Sequence, residues 1–313
     1  MRKIAFLFAG QGAQYIGMGK ELYENYSEAR DVFDIANEVL DIDVNELCFN
    51  GPKEELDITK NTQPTVLTTS IAALRVLVKN NIKPDVVAGL SLGEYGALVC
   101  SGVLEFKDAV KLVQKRGKYM EEALPNGVGS MAAIIGLERE KIVQVCECLS
   151  TEGFVTPANY NCPGQVVIAG ETAMIDKACE AMKEAGAKIA MKLPVSSAFH
   201  TKMLQDAADK LKVELENINI NNMKIPVITN VTADYIEDIK EVKEILVKQV
   251  TSPVLWEDTI KRMIDDGVDT FIEIGPGKTL SGFVKKIDKT KTILNVEDGA
   301  SLEKTMEELK KLK

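Results

Sequence analysis

One serine lies in a setting typical of an enzyme nucleophile. Ser91 is the centre of the sequence GLSLG, residues 89–93, which follows the apolar run 86–88 and precedes a segment with helical character. A G-x-S-x-G between a strand and a helix predicts a nucleophile elbow, a tight and strained turn that presents the serine hydroxyl at the carboxyl end of the strand. Glycine-rich turns with a serine helix cap also occur without catalysis. The context favours an enzyme that carries an acyl group on Ser91.

A serine nucleophile needs a general base, and histidine is suited to this because its pKa lies near neutrality. The chain has one histidine, His200, in a loop before a predicted helix. A lone loop histidine is usually structural, but its coexistence with the elbow favours a catalytic role. No Asp or Glu after Ser91 occupies a distinctive motif, so the residues alone leave the third member of a triad unassigned.

Arg116 is the third candidate functional residue. A helix predicted over 105–122 places Arg116 on its apolar face, whereas lysines occupy the other side. A buried guanidinium needs an anionic partner, because an unpaired buried charge is unfavourable. That partner is either a carboxylate of the protein or the carboxylate of a substrate, which the planar fork of arginine binds through two hydrogen bonds. Both alternatives remain open at this point.

A glycine-rich loop, residues 10–14, follows the apolar run 4–8. It resembles the start of a dinucleotide-binding motif, but Tyr15 stands where the third glycine would be, so that signal is weak. In an α/β fold this loop lies at the same edge of the sheet as the elbow. The backbone N–H groups of Gln11 and of Leu92, the residue after the nucleophile, are therefore candidate donors to an oxyanion.

The elements that position these residues alternate between strand and helix, which is typical of an α/β fold. The predicted strands are 4–8, 86–89 and 270–274, with helices at 20–39, 63–79, 92–100, 105–122 and from about 300 onward. Between them a βαββαβ order is predicted from strands 129–135, 154–159, 165–169 and 187–192 and helices 139–149 and 171–185. We predict an α/β-hydrolase-like large domain with a parallel sheet, residues 1–125 and 195–313, and an inserted ferredoxin-like small domain, residues 126–194.

Composition narrows the classes of function. The 313 residues are 45% hydrophobic and 27% charged, an ordinary globular composition, and the net charge of -9 argues against nucleic-acid binding. No apolar run is long enough for a membrane span or a signal peptide, so we expect no membrane partner and a cytoplasmic protein. Six scattered cysteines and one histidine argue against a metal site. We expect no cofactor.

Several motifs, in order, resemble the malonyl-CoA:acyl carrier protein transacylase family of bacterial fatty-acid synthesis, nearly from end to end. They are FAGQGAQ (8–14), GLSLGEY (89–95), QKRG (114–117), ANYNCPGQVVIAG (158–170), VSSAFH (195–200), QVTSPVLW (249–256) and EIGPG (273–277). The resemblance implies transfer of a malonyl group from malonyl-CoA to the phosphopantetheine thiol of acyl carrier protein. The transfer would run through a malonyl-serine intermediate in a ping-pong cycle.

The resemblance also implies a role for each matching residue. Ser91 carries the malonyl ester, His200 is the base and Arg116 holds the malonyl carboxylate. A main-chain carbonyl at Gln249 orients the histidine, which accounts for the missing carboxylate. The remaining assignments are Gln11 and Leu92 as oxyanion donors, with Phe199 and Asn159 at the substrate. One departure is Leu90, where the family usually has a histidine that is not the base.

Partners and alternatives complete the expectations. The carrier protein is typically acidic and is expected to dock on a local basic patch formed by Lys188, Lys192, Lys285 and Lys286, on a monomeric enzyme. Three other functions remain open: a serine thioesterase or esterase that passes the acyl group to water, a non-catalytic docking subunit of a larger synthase, and a free-standing acyltransferase serving a polyketide or polyunsaturated-lipid synthase.

Overall fold

The sheet that carries the nucleophile is parallel throughout. The computed structural model describes residues 2–125, 127–195 and 197–311. The four strands of this sheet are β1 (Ile4–Phe8), β2 (Val86–Gly89), β7 (Thr270–Ile274) and β8 (Thr292–Val296), in the order β2-β1-β7-β8. β1, β2 and β7 are buried along almost their whole length, as expected for strands covered by helices on both faces. Their carboxyl ends share one edge, so the loops after β1, β2 and β7 meet there.

A second, antiparallel sheet is built from one continuous stretch of chain. Its strands are β3 (Gly129–Ile135), β4 (Val155–Cys162), β5 (Gln165–Glu171) and β6 (Ile189–Lys192), in the order β4-β5-β3-β6. Two helices, α8 (Arg139–Leu149) and α9 (Thr172–Glu184), complete the predicted βαββαβ succession. The parallel sheet takes its strands from both sides of this stretch. The predicted domain boundaries themselves remain a prediction, and Asn126, the first residue of the predicted small domain, lies outside the described residues.

The helices surround the parallel sheet. Those before the second sheet are α1 (Lys20–Asn25), α2 (Ser27–Val39), α3 (Val44–Phe49), α4 (Lys53–Leu56), α5 (Thr59–Lys79), α6 (Gly93–Cys100) and α7 (Phe106–Glu122). Those after it are α10 (Gln205–Glu216), α11 (Val242–Thr251), α12 (Trp256–Asp265), α13 (Thr279–Ile287) and α14 (Gly299–Lys311). Among the described residues, no helix is both long enough and apolar enough to cross a membrane.

Several elements differ from the prediction, among them the pair α1 and α2, the start of α5, and β8. The single helix predicted over 20–39 is two helices, because Tyr26 is extended, with φ of -128°, between α1 and α2. α5 begins four residues before the predicted 63, since the side chain of Glu121 accepts a hydrogen bond from the Thr59 N–H at its start. β8 was not predicted from the sequence. The hydrogen bond that Glu121 accepts at the start of α5 comes from a residue 62 positions away, so the sequence around Thr59 gives no signal of it.

α7 orients as its periodicity predicts. Arg116 lies on its buried face and packs towards α5, together with the apolar side chains of that face. On the outer face Lys107 pairs with Glu38, and Lys115 pairs with Glu214. The helix therefore delivers one guanidinium to the interior and leaves its lysines at the surface.

Candidate active site

Ser91 occupies a strained turn at the carboxyl end of β2. Its φ is 52°, a left-handed backbone conformation that residues other than glycine rarely adopt. The flanking glycines are required because the turn is crowded: a Cβ on Gly89 would overlap the carbonyl of Gly93, and one on Gly93 would overlap the carbonyl of Phe8. α6 begins at Gly93, so the serine lies at a helix N-terminus. The nucleophile elbow predicted from the sequence is present.

Asn230 holds the elbow from outside the motif. Its side-chain oxygen accepts a hydrogen bond from the Ser91 N–H at 2.6 Å, and its side-chain nitrogen donates to the Gly89 carbonyl at 2.7 Å. Sequence reasoning missed this residue, because nothing near position 230 marks a loop that returns to the end of β2. The contact helps to offset the backbone strain at Ser91.

His200 contacts the nucleophile directly. Its Nε2 lies 2.7 Å from Ser91 Oγ, and its Nδ1 lies 2.9 Å from the main-chain carbonyl oxygen of Gln249. A carbonyl oxygen can only accept, so Nδ1 carries the proton and Nε2 is the free nitrogen that faces the hydroxyl. Burial and the nearby Arg116 charge lower the pKa of His200 to about 4, so the imidazole is neutral near pH 7.

Gln249 joins the site through its side chain as well as its carbonyl. Its Nε2 donates to the Ser91 carbonyl at 2.9 Å, and its Oε1 accepts from Arg116 at 2.9 Å. The residue is fully buried near the end of α11. One glutamine therefore contacts the base, the nucleophile's backbone and the guanidinium.

Arg116 is 1% exposed and points at the nucleophile. Its Nη2 donates to Ser91 Oγ at 3.2 Å and its Nη1 donates to Gln63 Oε1 at 2.9 Å, while the guanidinium lies 5.5 Å from the Tyr95 ring centre. Within the described residues it forms no ion pair with an Asp or Glu, and its Nε has no hydrogen-bond partner. Of the two partners left open by the sequence, a direct protein carboxylate is therefore not found.

The loop after β1 packs against the elbow. The Leu90 N–H donates to the Phe8 carbonyl, and a Cβ on Gly10 would lie 2.6 Å from the Leu90 carbonyl oxygen. The Gln11 side chain donates to Thr59 at 3.2 Å. Gln11 thus lies on the same sheet edge as Ser91, as expected from the order of strand and loop.

Comparison with known proteins agrees with this geometry. The family model described as an acyl transferase domain matches residues 5–307. The malonyl CoA-acyl carrier protein transacylase of Bacillus subtilis is 49% identical over 311 residues, covering 99% of this chain and 98% of that protein. The crystal structure of the corresponding Clostridium perfringens transacylase superposes with a TM-score of 0.96 at 51% identity and covers 99% of this chain and 98% of the other.

The chain belongs to the acyl transferase family, among the malonyl CoA-acyl carrier protein transacylases. A further solved relative is a malonyl-transacylase in complex with a type II PKS acyl-carrier protein, with a TM-score of 0.95, 42% identity and coverage of 98% of this chain and 99% of that one. The resemblance inferred from the ordered motifs is thereby confirmed.

Within the described residues, the side chains of Phe199, Asn159 and Leu90 form no hydrogen bond to the catalytic group. Phe199 is half-buried against the face of the second sheet opposite α8 and α9, next to Ala198 and Met131. Asn159 is buried on β4 and makes no side-chain hydrogen bond to the catalytic group within the described residues. Leu90 is partly buried and packs with the cluster that contains Trp256. The roles of Phe199 and Asn159 at the substrate remain predictions.

Two further residues of the transacylase centre were not singled out from the sequence. Gln63 on α5 and Glu94 on α6 are both buried. Gln63 lies in a helix whose polar side chains are buried almost throughout. The run of polar residues around Pro64 was the sequence signal that could have identified it.

Among residues 2–125, 127–195 and 197–311, no three His, Cys, Asp or Glu side chains cluster closely enough to hold a metal ion.

Proposed function

We propose that this protein transfers the malonyl group of malonyl-CoA to the phosphopantetheine thiol of acyl carrier protein, through an ester on Ser91. The observation that carries the proposal is Arg116, a buried cation that hydrogen-bonds to Ser91 Oγ and has no direct ion pair in the described chain. A buried cation at this place favours an acyl group that brings its own carboxylate. Malonyl does so and acetyl does not.

In the first half of the cycle His200 is the general base. Nε2 takes the proton of Ser91 as Oγ attacks the thioester carbonyl, and the carbonyl oxygen becomes an oxyanion. The backbone N–H groups of Gln11 and Leu92 stabilise that oxyanion. When the tetrahedral intermediate collapses, the C–S bond breaks and CoA leaves with the proton from His200. The malonyl ester on Ser91 remains, with its carboxylate on Arg116.

The second half repeats these steps with the carrier-protein thiol. His200 takes the thiol proton, the sulfur attacks the ester carbonyl, and Ser91 leaves with the proton returned by the imidazolium. The Gln249 carbonyl accepts from Nδ1 throughout and stabilises the imidazolium form. The cycle uses no metal and no cofactor, since malonyl-CoA enters as a substrate.

The partner fits the relatives, one of which was solved with an acyl-carrier protein bound. We place its docking at Lys188, just before β6, at Lys192 on β6, and at Lys285 and Lys286 on α13, all of which are exposed. Lys286 donates to Gln165 at the start of β5. Gln165 is paired with Ile135 of β3, and Ile135 with Ile189 of β6, so Lys286 and Lys188 lie near one end of the second sheet, two strands apart. A monomeric state and a cytoplasmic location remain parts of the proposal.

Finer features of the fold belong to the proposal as well. The elbow on a parallel sheet supports an α/β-hydrolase-like large domain, and the strand order β4-β5-β3-β6 supports a ferredoxin-like small domain.

Supply of fatty-acid elongation is the pathway we favour, given the two relatives with 49% and 51% identity. Service to a polyketide carrier protein is the second candidate, favoured by the 42% identical relative solved with such a partner.

Intact-protein mass spectrometry after mixing with malonyl-CoA tests the function. We expect one malonyl adduct that is absent in Ser91→Ala and that disappears when holo acyl carrier protein is added, with malonyl-carrier protein as product. Release of free malonate instead would support a hydrolase. Absence of any adduct on the wild-type protein would overturn the proposal. Separate additions of fatty-acid and polyketide carrier proteins distinguish the two pathways.

A further inference from the structure

The buried carboxyl of Glu94 has no part in the cycle described above. It lies in the first turn of α6, three residues after the nucleophile, and is fully buried. Its Oε2 accepts two hydrogen bonds, from Gln249 Nε2 at 2.8 Å and from the Asn230 N–H at 3.1 Å. Both of these partners also hold the backbone of Ser91. Glu94 thus lies behind the residues that surround the nucleophile.

Glu94 sets the orientation of the Gln249 amide. Gln249 Nε2 lies between two acceptors, Glu94 Oε2 at 2.8 Å and the Ser91 carbonyl at 2.9 Å, and its Oε1 faces the guanidinium of Arg116 at 2.9 Å. A flipped amide would bring its oxygen against two acceptors and its NH₂ against a cation. Both contacts are unfavourable in a buried site, where polar groups without partners are strongly destabilising.

The amide also separates Arg116 from the carboxyl of Glu94. These two residues bind the two ends of one glutamine side chain, so the carboxyl does not contact the guanidinium directly. A direct ion pair would occupy the N–H groups that an incoming carboxylate needs. In the observed arrangement Arg116 stays beside Ser91, and its Nε has no partner within the described chain.

We propose that Glu94 is a positioning residue for acyl selectivity, which fixes the Gln249 amide so that Arg116 is held beside Ser91 and remains open to the carboxylate of the acyl group. This inference rests on the malonyl transfer proposed above. It concerns the preference for a carboxylated over an uncharged acyl group, a property that a residue needed only for folding does not control.

The test compares malonyl with acetyl loading of Ser91, from malonyl-CoA and acetyl-CoA, by intact-protein mass spectrometry. Glu94→Met has a similar length and fills the same space, but replaces the carboxylate by a weak thioether acceptor. We expect its malonyl-to-acetyl ratio of loading rates to fall about tenfold, the effect of one hydrogen bond to a charged group. Glu94→Gln, which keeps an oxygen acceptor at this position, is the conservative variant and retains most of the preference.

Three outcomes are decisive. An unchanged ratio in Glu94→Met overturns the inference, as does an equal loss of preference in Glu94→Gln. In Arg116→Ala the ratio is already low, and adding Glu94→Met should lower it no further; an additional fall would mean that Glu94 acts independently of Arg116 and would also overturn the inference. If Glu94→Met does not fold, Glu94→Asp is the substitute, because it withdraws the carboxylate by one methylene. Its malonyl-to-acetyl ratio should fall in the same way. Failure of the wild type to load malonyl would instead contradict the proposed function itself.

Discussion

Arg116 donates a hydrogen bond to the hydroxyl oxygen of Ser91, 25 positions away in sequence, at 3.2 Å. His200 contacts the same oxygen at 2.7 Å. The nucleophile is therefore held between its base and a buried cation. The cation also acts on the base, because its charge and the burial of the site lower the pKa of His200 to about 4. Acyl preference and pH dependence should change together when Arg116 is altered.

The first prediction concerns the acyl group. Arg116→Ala removes the cation that faces the acyl carboxylate, so malonyl loading should fall by about 10- to 100-fold, the range for hydrogen bonds to a charged group. Acetyl loading should be retained or should rise. The measurement is the rate of each adduct on Ser91. Arg116→Lys keeps the charge but not the planar fork, so its malonyl loading rate should lie between those of the wild type and Arg116→Ala. An unchanged malonyl preference in Arg116→Ala would contradict the assignment of this residue.

The second prediction concerns the pH dependence of loading. His200 acts as a base only when it is neutral, so its pKa of about 4 predicts a rate that stays level through weakly acidic pH. Removing the positive charge of Arg116 makes the imidazolium less unfavourable, and the pKa of His200 should rise towards 6.5. The acid limb of the profile should then move to higher pH in Arg116→Ala, measured with acetyl-CoA. Arg116→Lys should leave the limb near its wild-type position; equal shifts in both variants would argue against a charge effect.

The third prediction is a pair of opposite effects on stability. Burial raises the pKa of Glu94 from 4.5 to about 7. The folded state then binds this proton more tightly than the unfolded state, so the contribution of Glu94 falls as pH rises from 4.5 to 7. The pKa of His200 is lowered from 6.5 to about 4, so its contribution rises over nearly the same window. Each effect amounts to about 3 kcal/mol at most.

Urea unfolding of the wild type, Glu94→Gln and His200→Gln at several pH values separates the two contributions. The free energy of unfolding of Glu94→Gln should increase relative to the wild type as pH rises through the window. That of His200→Gln should decrease relative to the wild type over the same range. Two differences of the same sign, or differences independent of pH, would contradict the assignment.

Much of this architecture follows from local sequence. The run 86–89 and the helix that contains Arg116 were predicted closely, because strand burial and helix periodicity are written into consecutive residues. Ser91 and His200 could be paired because the chain has one histidine. The connecting residues could not be found in this way. Asn230 and Glu94 act through hydrogen bonds across more than 100 positions, and nothing in their immediate sequence records those partners.

The break at Tyr26 and the early start of α5 illustrate the same limit within the fold. Helical periodicity continues across residues 20–39, yet the backbone of Tyr26 is extended between α1 and α2. The start of α5 depends on Glu121, which belongs to α7 and accepts from the Thr59 N–H at 2.7 Å. Boundaries that depend on tertiary contacts appear only in the folded chain.

The fourth prediction compares two glycines. Gly93→Ala places a Cβ against the carbonyl oxygens of Phe8 and Ala9, which belong to the neighbouring strand β1 and the loop that follows it. We expect a loss of about 3 kcal/mol or more in the free energy of unfolding, because backbone atoms cannot move aside. Gly282, in the middle of α13, has open space around its Cβ position. Gly282→Ala should therefore gain about 0.5–1 kcal/mol. Thermal or urea unfolding measures both, and equal effects would contradict the account of the elbow.

The last prediction concerns carrier-protein docking. Lys285 and Lys286 lie on the exposed side of α13, and charge reversal of both, Lys285→Glu with Lys286→Glu, should raise the KM for acyl carrier protein without changing malonyl loading from malonyl-CoA. The effect should weaken as salt is added, because exposed charges are screened. Lys83→Glu with Lys310→Glu is the matched control, since these two lysines line a surface cavity beside Ile4, at the amino-terminal edge of the sheet opposite Ser91. Equal effects of the two double variants would place docking elsewhere, because a general change in net charge would then account for both.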